Sequence, residues 1–561
     1  LQMSKTFDKL NRFVQNPTNL DISRSRFNRP FTHKTTFNAG KLVPIYLDEV
    51  LPGDTFQVDI SSVVRMLTPA VPVMDNSFLD VFFFFVPNRL CTLNSDDWQK
   101  ICGENTSGYW AQDEEYTIYN TGNSISYNDL VTVTGGSTTI KAGSAFNYFG
   151  LPITTSDHNP TGELGTMTKI NMMPFVGYTK IWNEFFRDQN TQAPITIDST
   201  FYKNEYCNYL NDCLPVNKIH DYFTSALPSP QKGDSVLVPL GSLAPVGTPE
   251  AYAGVSGFNT SAIKVQTPSG SGTLSGNLSV DSSTSEIEVG SSGIPITFSN
   301  LYADLSQATG ASVNQLRQAF AIQKMLEKDA RGGSRYREIL KSHFGVTLPD
   351  ATAQVPQYLG GKRVALNITQ VLQTSETSDS SPLGATGAFS NTGFKDSMFI
   401  KSFTEYGYLY GLACVRTSQS YSQGIPKLFT RDRRFDFYYP VFANLGEQPI
   451  YTKELYFSDG VKSTEIFGYQ ERWAEYRFHP NLVTGNLAPN SGDTILSSWT
   501  YTNRFTAKPV LNSSFMQQPK SQIDNTLVIE TNTQFVADFF FNIICTRPMP
   551  LYSIPGLIDH H

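Results

Sequence analysis

The chain has 561 residues and a mass of 62.4 kDa, with 17% charged side chains against roughly 25% in an average soluble protein, and 13% aromatic ones. That pairing excludes an intrinsically disordered chain, and the longest purely apolar run, Val81–Val86, falls far short of the roughly 20 residues a bilayer demands of a helix. The net charge of −7 excludes a protein basic throughout, and scarce charge with many aromatics suits either a large β-rich core or a surface that other protein covers.

Residues 1–41 read as a basic arm. Lys5, Lys9, Arg12, Arg24, Arg26, Arg29, Lys34 and Lys41 are opposed only by Asp8 and Asp21, so the arm is +6 and the rest of the chain −13. It has no apolar h-region and does not read as a secretory signal. Arg24-Ser-Arg26-Phe-Asn-Arg29-Pro30 interleaves cations with aromatic and polar residues without helical periodicity. Such a segment suits a polyanion, each cation displacing condensed counterions from phosphate. A soluble flexible terminus or a clamp on neighbouring subunits would carry the same residues.

Strands follow. Lys41–Val50 alternates, Pro52-Gly53-Asp54 reads as a turn, and Phe56, Val58, Ile60, Ser62 and Val64 share one face of the next strand, Thr55–Met66. Phe78–Val86 is apolar on both faces and must be covered on both. Thr526–Glu530 and Phe535–Cys545 have the same character near the other end, halted by Pro548 and Pro550. The economical arrangement is a β-sandwich in which 42–87 and 526–547 supply first and last strands, with Phe82 and Phe540 in one module. Residues 548–561 read as a tail.

Residues 88–525 hold the remaining strands and long excursions. Helices are predicted over Phe175–Asp188, over Ser312–Arg331 with a Ser312/Gln315 capping box and a Gly332-Gly333 stop, and over Ser334–His343 before Gly345. Phe399–Val415 alternates as a strand. From Gly254 to Gly293, 22 of 40 residues are Gly, Ser or Thr, which cannot bury a core of their own. Its short alternating pieces, Ser261–Gln266 and Glu286–Val289, read as small strands of a surface excursion. Thr374–Gly393 reads as a second such loop.

No pattern asks for catalysis. The seven histidines form no H-E-x-x-H, there is no G-x-S-x-G elbow, and Gly360-Gly-Lys-Arg363 lacks the upstream Gly and the Ser or Thr of a phosphate loop. Asp96-Asp97 and Asp113-Glu-Glu115 read as solvated loop acids, without EF-hand spacing. Cys91, Cys102, Cys207, Cys213, Cys414 and Cys545 contain no C-x-x-C and read as reduced thiols of a protein folding in a cytoplasm. No catalytic, metal or cofactor residues are assigned. A monomeric secreted carbohydrate-binding or adhesin β-sandwich would explain the aromatics and Ser/Thr loops but not the cationic arm. A glycan-cleaving enzyme would need converging carboxylates.

Several words, in order along the chain, resemble the major capsid proteins of gokushoviruses, single-stranded DNA phages of the Microviridae. They are Ser25-Arg-Phe-Asn-Arg-Pro-Phe-Thr-His-Lys-Thr-Thr-Phe37 into Gly40-Lys-Leu-Val-Pro44, Pro52-Gly-Asp-Thr-Phe56, Phe82-Phe-Phe-Phe-Val-Pro-Asn-Arg89, Leu326-Glu-Lys-Asp-Ala-Arg-Gly-Gly-Ser-Arg-Tyr336, His343-Phe-Gly-Val346 and Tyr552-Ser-Ile-Pro-Gly-Leu-Ile-Asp-His560. The resemblance implies a mainly β fold: an eight-stranded viral jelly roll with long inserted loops and a few helices. It implies sixty copies in a T=1 icosahedral shell, with pentamers as intermediates, around circular single-stranded DNA.

It further implies a small basic DNA-binding protein, internal scaffolding and minor spike or pilot proteins as partners, and assembly in a bacterial cytoplasm. Residues 244–299, where members differ, would form a protrusion near the threefold axis that meets a host receptor, with Phe258 and Lys264 as contact residues. Lys5, Lys9, Arg12, Arg24, Arg26, Arg29 and Lys34 would face DNA. Sixty arms would carry on the order of 360 positive charges against several thousand phosphates, leaving most neutralisation to the small basic protein or to other cations.

Overall fold

In this computed structural model the described residues are 23–552 except 95, 103–116, 119–121, 127–139, 154–166, 198–209, 235, 237–312, 376, 378–382, 385, 490 and 529–532; within 237–312 the backbone of seven short strand segments is described. The chain divides into two compact units, Gln231–Ala330 and the remainder.

The larger unit is mainly β and is organised by nine long or paired strands: β1 (Ser25–Asn28), β2 (Phe31–Phe37), β3 (Val43–Val50), β4 (Thr55–Met66), β5 (Ser77–Pro87), β6 (Gln357–Ala365), β7 (Thr392–Ser402), β8 (Gly407–Thr417) and β9 (Phe535–Arg547). They form two antiparallel sheets. In the first, β9 lies between β4 and the β1/β2 edge, and β4 pairs onward with β7; in the second the order is β6-β5-β8-β3. β1 and β2 lie end to end along β9, Ser25 opposite Arg547 and Phe37 opposite Phe535. Pro30, which cannot donate to a ladder, separates them.

Alternation places one face of each sheet against the other. On β4, Phe56, Val58, Ile60 and Val64 are buried, while the alternate positions are partly or fully exposed. Across the gap Phe83 meets Phe541 (ring centroids 6.4 Å) and Phe399 (5.6 Å), and Phe85 meets Phe403 (4.5 Å). Helix α1 (Met173–Ile181), continued by a π turn over Trp182–Phe186, covers the second face of β5: Phe82 packs on Phe186 at 5.3 Å and Phe84 on Phe185 at 4.8 Å. This is the two-sided cover that the apolar run Phe78–Val86 required. Tyr410 of β8 donates to the carbonyl of Pro174 at 2.7 Å, so tightly against α1 that a Cβ on Gly177 would overlap its hydroxyl.

Asp80 of β5 is almost fully buried and forms a fork with Arg363 (2.6 and 3.1 Å), with Arg416 Nε at 2.8 Å. Gly360-Gly-Lys-Arg363 is thus part of strand β6. Gly361 permits close approach, since a Cβ there would sit 2.6 Å from the carbonyl of Val81.

Several sequence expectations need correction. Phe399–Val415 is two strands in different sheets: β7 ends at Ser402, Phe403 exchanges backbone hydrogen bonds with Gly53 and Asp54, and β8 begins at Gly407. Phe403 stays buried through the turn, so no polar break marks it. Thr374–Gly393 is only partly loop, because Thr386–Ser390 pairs with Ile368–Leu372 and β7 has begun by Thr392. Thr526–Leu527 forms a turn and a single bridge to Pro69, short of a strand. The helix expected over Phe175–Asp188 starts at Met173 and widens at Trp182. The helix expected over Ser334–His343, α3 (Tyr336–Phe344), ends as expected on Gly345 at φ 71°.

In the smaller unit, Val265–Thr267 pairs with Gly270–Gly272 and Thr297–Phe298, Leu278–Val280 with Ile287–Val289, and Val246–Gly247 with Tyr302–Ala303. Small strands therefore occur in the Gly/Ser/Thr-rich stretch. Helix α2 (Val313–Gly332) follows; Ser312 lies outside the described residues. No helix is long and apolar enough to cross a membrane among the described residues, and no cluster of three or more metal-ligating side chains occurs among them. Of the six cysteines, Cys91, Cys102, Cys213, Cys414 and Cys545 are free thiols and Cys207 lies outside the described residues.

Candidate assembly surface

The residues 427–445 run Lys-Leu-Phe-Thr-Arg-Asp-Arg-Arg-Phe-Asp-Phe-Tyr-Tyr-Pro-Val-Phe-Ala-Asn-Leu. Two aspartates, Pro440 and closely spaced bulky residues break any long helix or strand, and the chain makes three short 3₁₀ turns at Lys427–Thr430, Arg434–Asp436 and Pro440–Phe442. No residue of these turns is buried. Phe429 is 73% exposed, Phe435 65% and Val441 87%, with Phe437, Tyr438 and Tyr439 also exposed.

The back of the segment is fixed. Arg431 forms an ion pair with Glu475 at 3.0 Å and lies 4.4 Å from the centre of the Tyr476 ring. Buried Trp473, held at φ 65°, packs edge to face with Tyr438 (5.6 Å) and donates its indole N–H to the carbonyl of Phe442 at 3.0 Å. The backbone N–H groups of Arg433 (2.8 Å) and Asp432 (3.0 Å) donate to Asp436 and hold its carboxyl below the usual carboxylate range. The exposed rings of Phe435 and Tyr439 both meet the half-buried ring of Phe442, at 5.9 and 6.3 Å.

A contiguous apolar patch held rigid from behind is costly to leave in water and is characteristic of a protein–protein contact. Its composition of aromatics and arginine matches interface hot spots. Sequence reading missed this segment. The available signal was the alternation of four cations (Lys427, Arg431, Arg433, Arg434) with six aromatic rings, without either regular period.

The predicted site residues are distributed differently. Arg24 donates to Gly53 O and to Thr55 Oγ1 (2.8 Å), and Arg29 grips Asp48 with two bonds (2.6 and 3.2 Å). Both are tied to their own sandwich. Arg26 and Lys34 are exposed on β1 and β2. Lys5, Lys9, Arg12, Phe258 and Lys264 lie outside the described residues, as do Asp113-Glu-Glu115. Asp97, of the other acidic pair, is buried and accepts from the Asn94 and Asn123 side-chain amides, the latter at 3.1 Å.

A two-sheet β-sandwich with its first and last described strands in one sheet and a rigid aromatic outer surface defines a structural protein built for contact with other protein. Comparison with known proteins gives the class its family. The family model described as "Capsid protein (F protein)" matches residues 15–557, and the chain belongs to that family. It is 39% identical over 554 residues to Capsid protein VP1 of Bdellovibrio phage phiMH2K (97% of each chain) and 35% identical to Capsid protein VP1 of Chlamydia phage 1 (98% of each). It is 34% identical to Capsid protein VP1 of Spiroplasma virus 4, over 99% of this chain and all of the relative. The gokushovirus resemblance of the sequence is thereby met. The protein is a structural component of a virion, not an enzyme, and self-assembles into a multi-subunit shell.

Proposed function

We propose that sixty copies close a T=1 icosahedral shell around circular single-stranded DNA. The observation that carries this reading is the near full-length likeness to capsid proteins of three microviruses, joined to the exposed aromatic segment 427–445. Each contact can be modest, because closure makes every subunit multiply held. Lys5, Lys9, Arg12, Arg26 and Lys34 are the arm cations assigned to DNA. Arg24 and Arg29, whose partners are Thr55 and Asp48, serve the sandwich first. A small basic DNA-binding protein supplies most of the remaining neutralisation, with scaffolding and spike or pilot proteins as further partners. The 244–299 stretch forms the threefold protrusion, with Phe258 and Lys264 at the host receptor.

Sedimentation of the expressed chain tests the reading. Megadalton shells or pentamers are expected; a single 62.4 kDa species under all conditions would overturn it. Deleting Gly254–Gly293 should preserve particles and reduce adsorption to cells, and unaltered adsorption would remove the receptor role.

A further inference from the structure

Residues 502–525 and Lys218 enclose a cavity of 340 Å³ whose lining has an unusual charge pattern. Lys218, Arg504 and Lys508 line it, and no Asp or Glu does. The rest of the wall is amide, hydroxyl and aromatic, including Asn503, Gln522 and the ring of Phe515. We propose that this cavity is a phosphate-binding pocket built on Lys218, Arg504 and Lys508, which takes either a phosphate of a nucleic-acid backbone or a free one. The backbone source rests on the enclosure of DNA proposed above; the pocket itself does not.

Lys218 carries the argument. It is 4% exposed, and its ammonium donates to the Asn503 side-chain oxygen at 3.2 Å and lies 4.4 Å from the centre of the Phe515 ring. Among the described residues no carboxylate forms an ion pair with it. A buried ammonium facing one neutral amide and one ring is poorly compensated, and such charges persist where an opposite charge arrives from outside. Asn503 is itself fixed by donating to Gln419 Oε1 (3.1 Å) and accepting from Gln522 Nε2 (3.1 Å), so Lys218 is aimed by a buried network.

Two further cations converge from one short stretch of chain. Arg504 is positioned by donating to the carbonyl of Ser497 at 2.9 Å, and Lys508 at the rim shares Glu465, which stands outside the lining, at 2.6 Å. Three cations on one lining, of which only Lys508 is shared with an acid, Glu465 outside the lining, fit a doubly charged oxyanion, and guanidinium with ammonium is the usual pairing on phosphate. Burial also lowers the Lys218 ammonium to about 8, against a pull back from Asp221, and a bound phosphate would reverse that.

Filter binding with the purified full chain tests the proposal, using radiolabelled inorganic phosphate and a radiolabelled short oligothymidylate. Lys218→Met should lower phosphate affinity about tenfold. Arg504→Gln with Lys508→Gln, at the cavity mouth, should do the same without touching the buried network. If the backbone is the source, both variants should also flatten the salt dependence of oligothymidylate binding by about 0.7 of slope per cation removed. If phosphate binding falls but the oligothymidylate slope is unchanged, the pocket stands and its ligand is free phosphate. Unaltered phosphate binding in both folded variants would overturn the pocket, even where oligothymidylate still binds. A wild-type chain that takes up phosphate but never oligothymidylate would instead sink the DNA reading.

Discussion

Phe83 of β5 and Phe541 of β9 meet edge to face across the sandwich, their ring planes 84° apart. Both are fully buried, and each belongs to a different sheet. Phe541→Ala should therefore cost about 3–5 kcal/mol, the usual range for emptying a packed aromatic site. Urea unfolding of the unassembled chain would measure it. A loss below about 1 kcal/mol would mean that the sheets do not pack through this pair.

Asp80 is almost fully buried and accepts from two guanidiniums, that of Arg416 mostly buried and that of Arg363 half exposed, so its loss should matter more than that of a surface pair. Asp80→Asn keeps the shape but leaves Arg363 and Arg416 uncompensated, and should cost about 3–5 kcal/mol. Lys362→Ala, next to Arg363 in sequence, removes only the solvent-screened pair with Asp396, and should leave stability close to that of the parent. Thermal unfolding of the two variants side by side gives the contrast.

The alternating strands were legible because one face of each is buried: β4 and the two-sided β5 follow directly from their side chains. Which strands pair was legible only in outline. Phe82 and Phe540 do share one sandwich, yet β5 and β9 lie in opposite sheets, and β9 pairs with β4 and with the arm strands. Nothing local in Arg24–Phe37 announces a strand, because its ladder partner is near the other end of the chain. The assembly segment was illegible for a related reason. Its exposed rings mimic a core in composition, and only tertiary context leaves them outside.

Lys218 gives a pH dependence with a defined sign. An unfolded lysine titrates near 10.5 and the folded one at about 8, so between those values the unfolded chain binds more protons and stability rises with pH. Below about 8 the penalty is constant. Lys218→Met should stabilise the chain by about 3 kcal/mol at neutral pH and abolish its share of the gain between pH 8 and 10.5. Denaturation midpoints across that range would test it, and a destabilised variant at neutral pH would contradict the stated cause.

Phe429→Ser with Val441→Ser removes the two most exposed apolar groups of the segment. Stability of the isolated subunit should shift by no more than about 0.5 kcal/mol, whereas shell assembly should fail or need much higher protein concentration. Light scattering during assembly distinguishes this from a neutral loop, for which the kinetics would match the parent.

The amide of Ala39 donates to Gln534, 495 residues further along, and β2 reads its register from β9. On the ribosome, the opening strands of this chain therefore wait until β9, about 500 residues later, has been translated before their sheet can close. A prematurely terminated product lacks an inner ribbon of that sheet, not a dispensable end. Only a chain carried through β9 can thus present the closed sandwich from which a container is built.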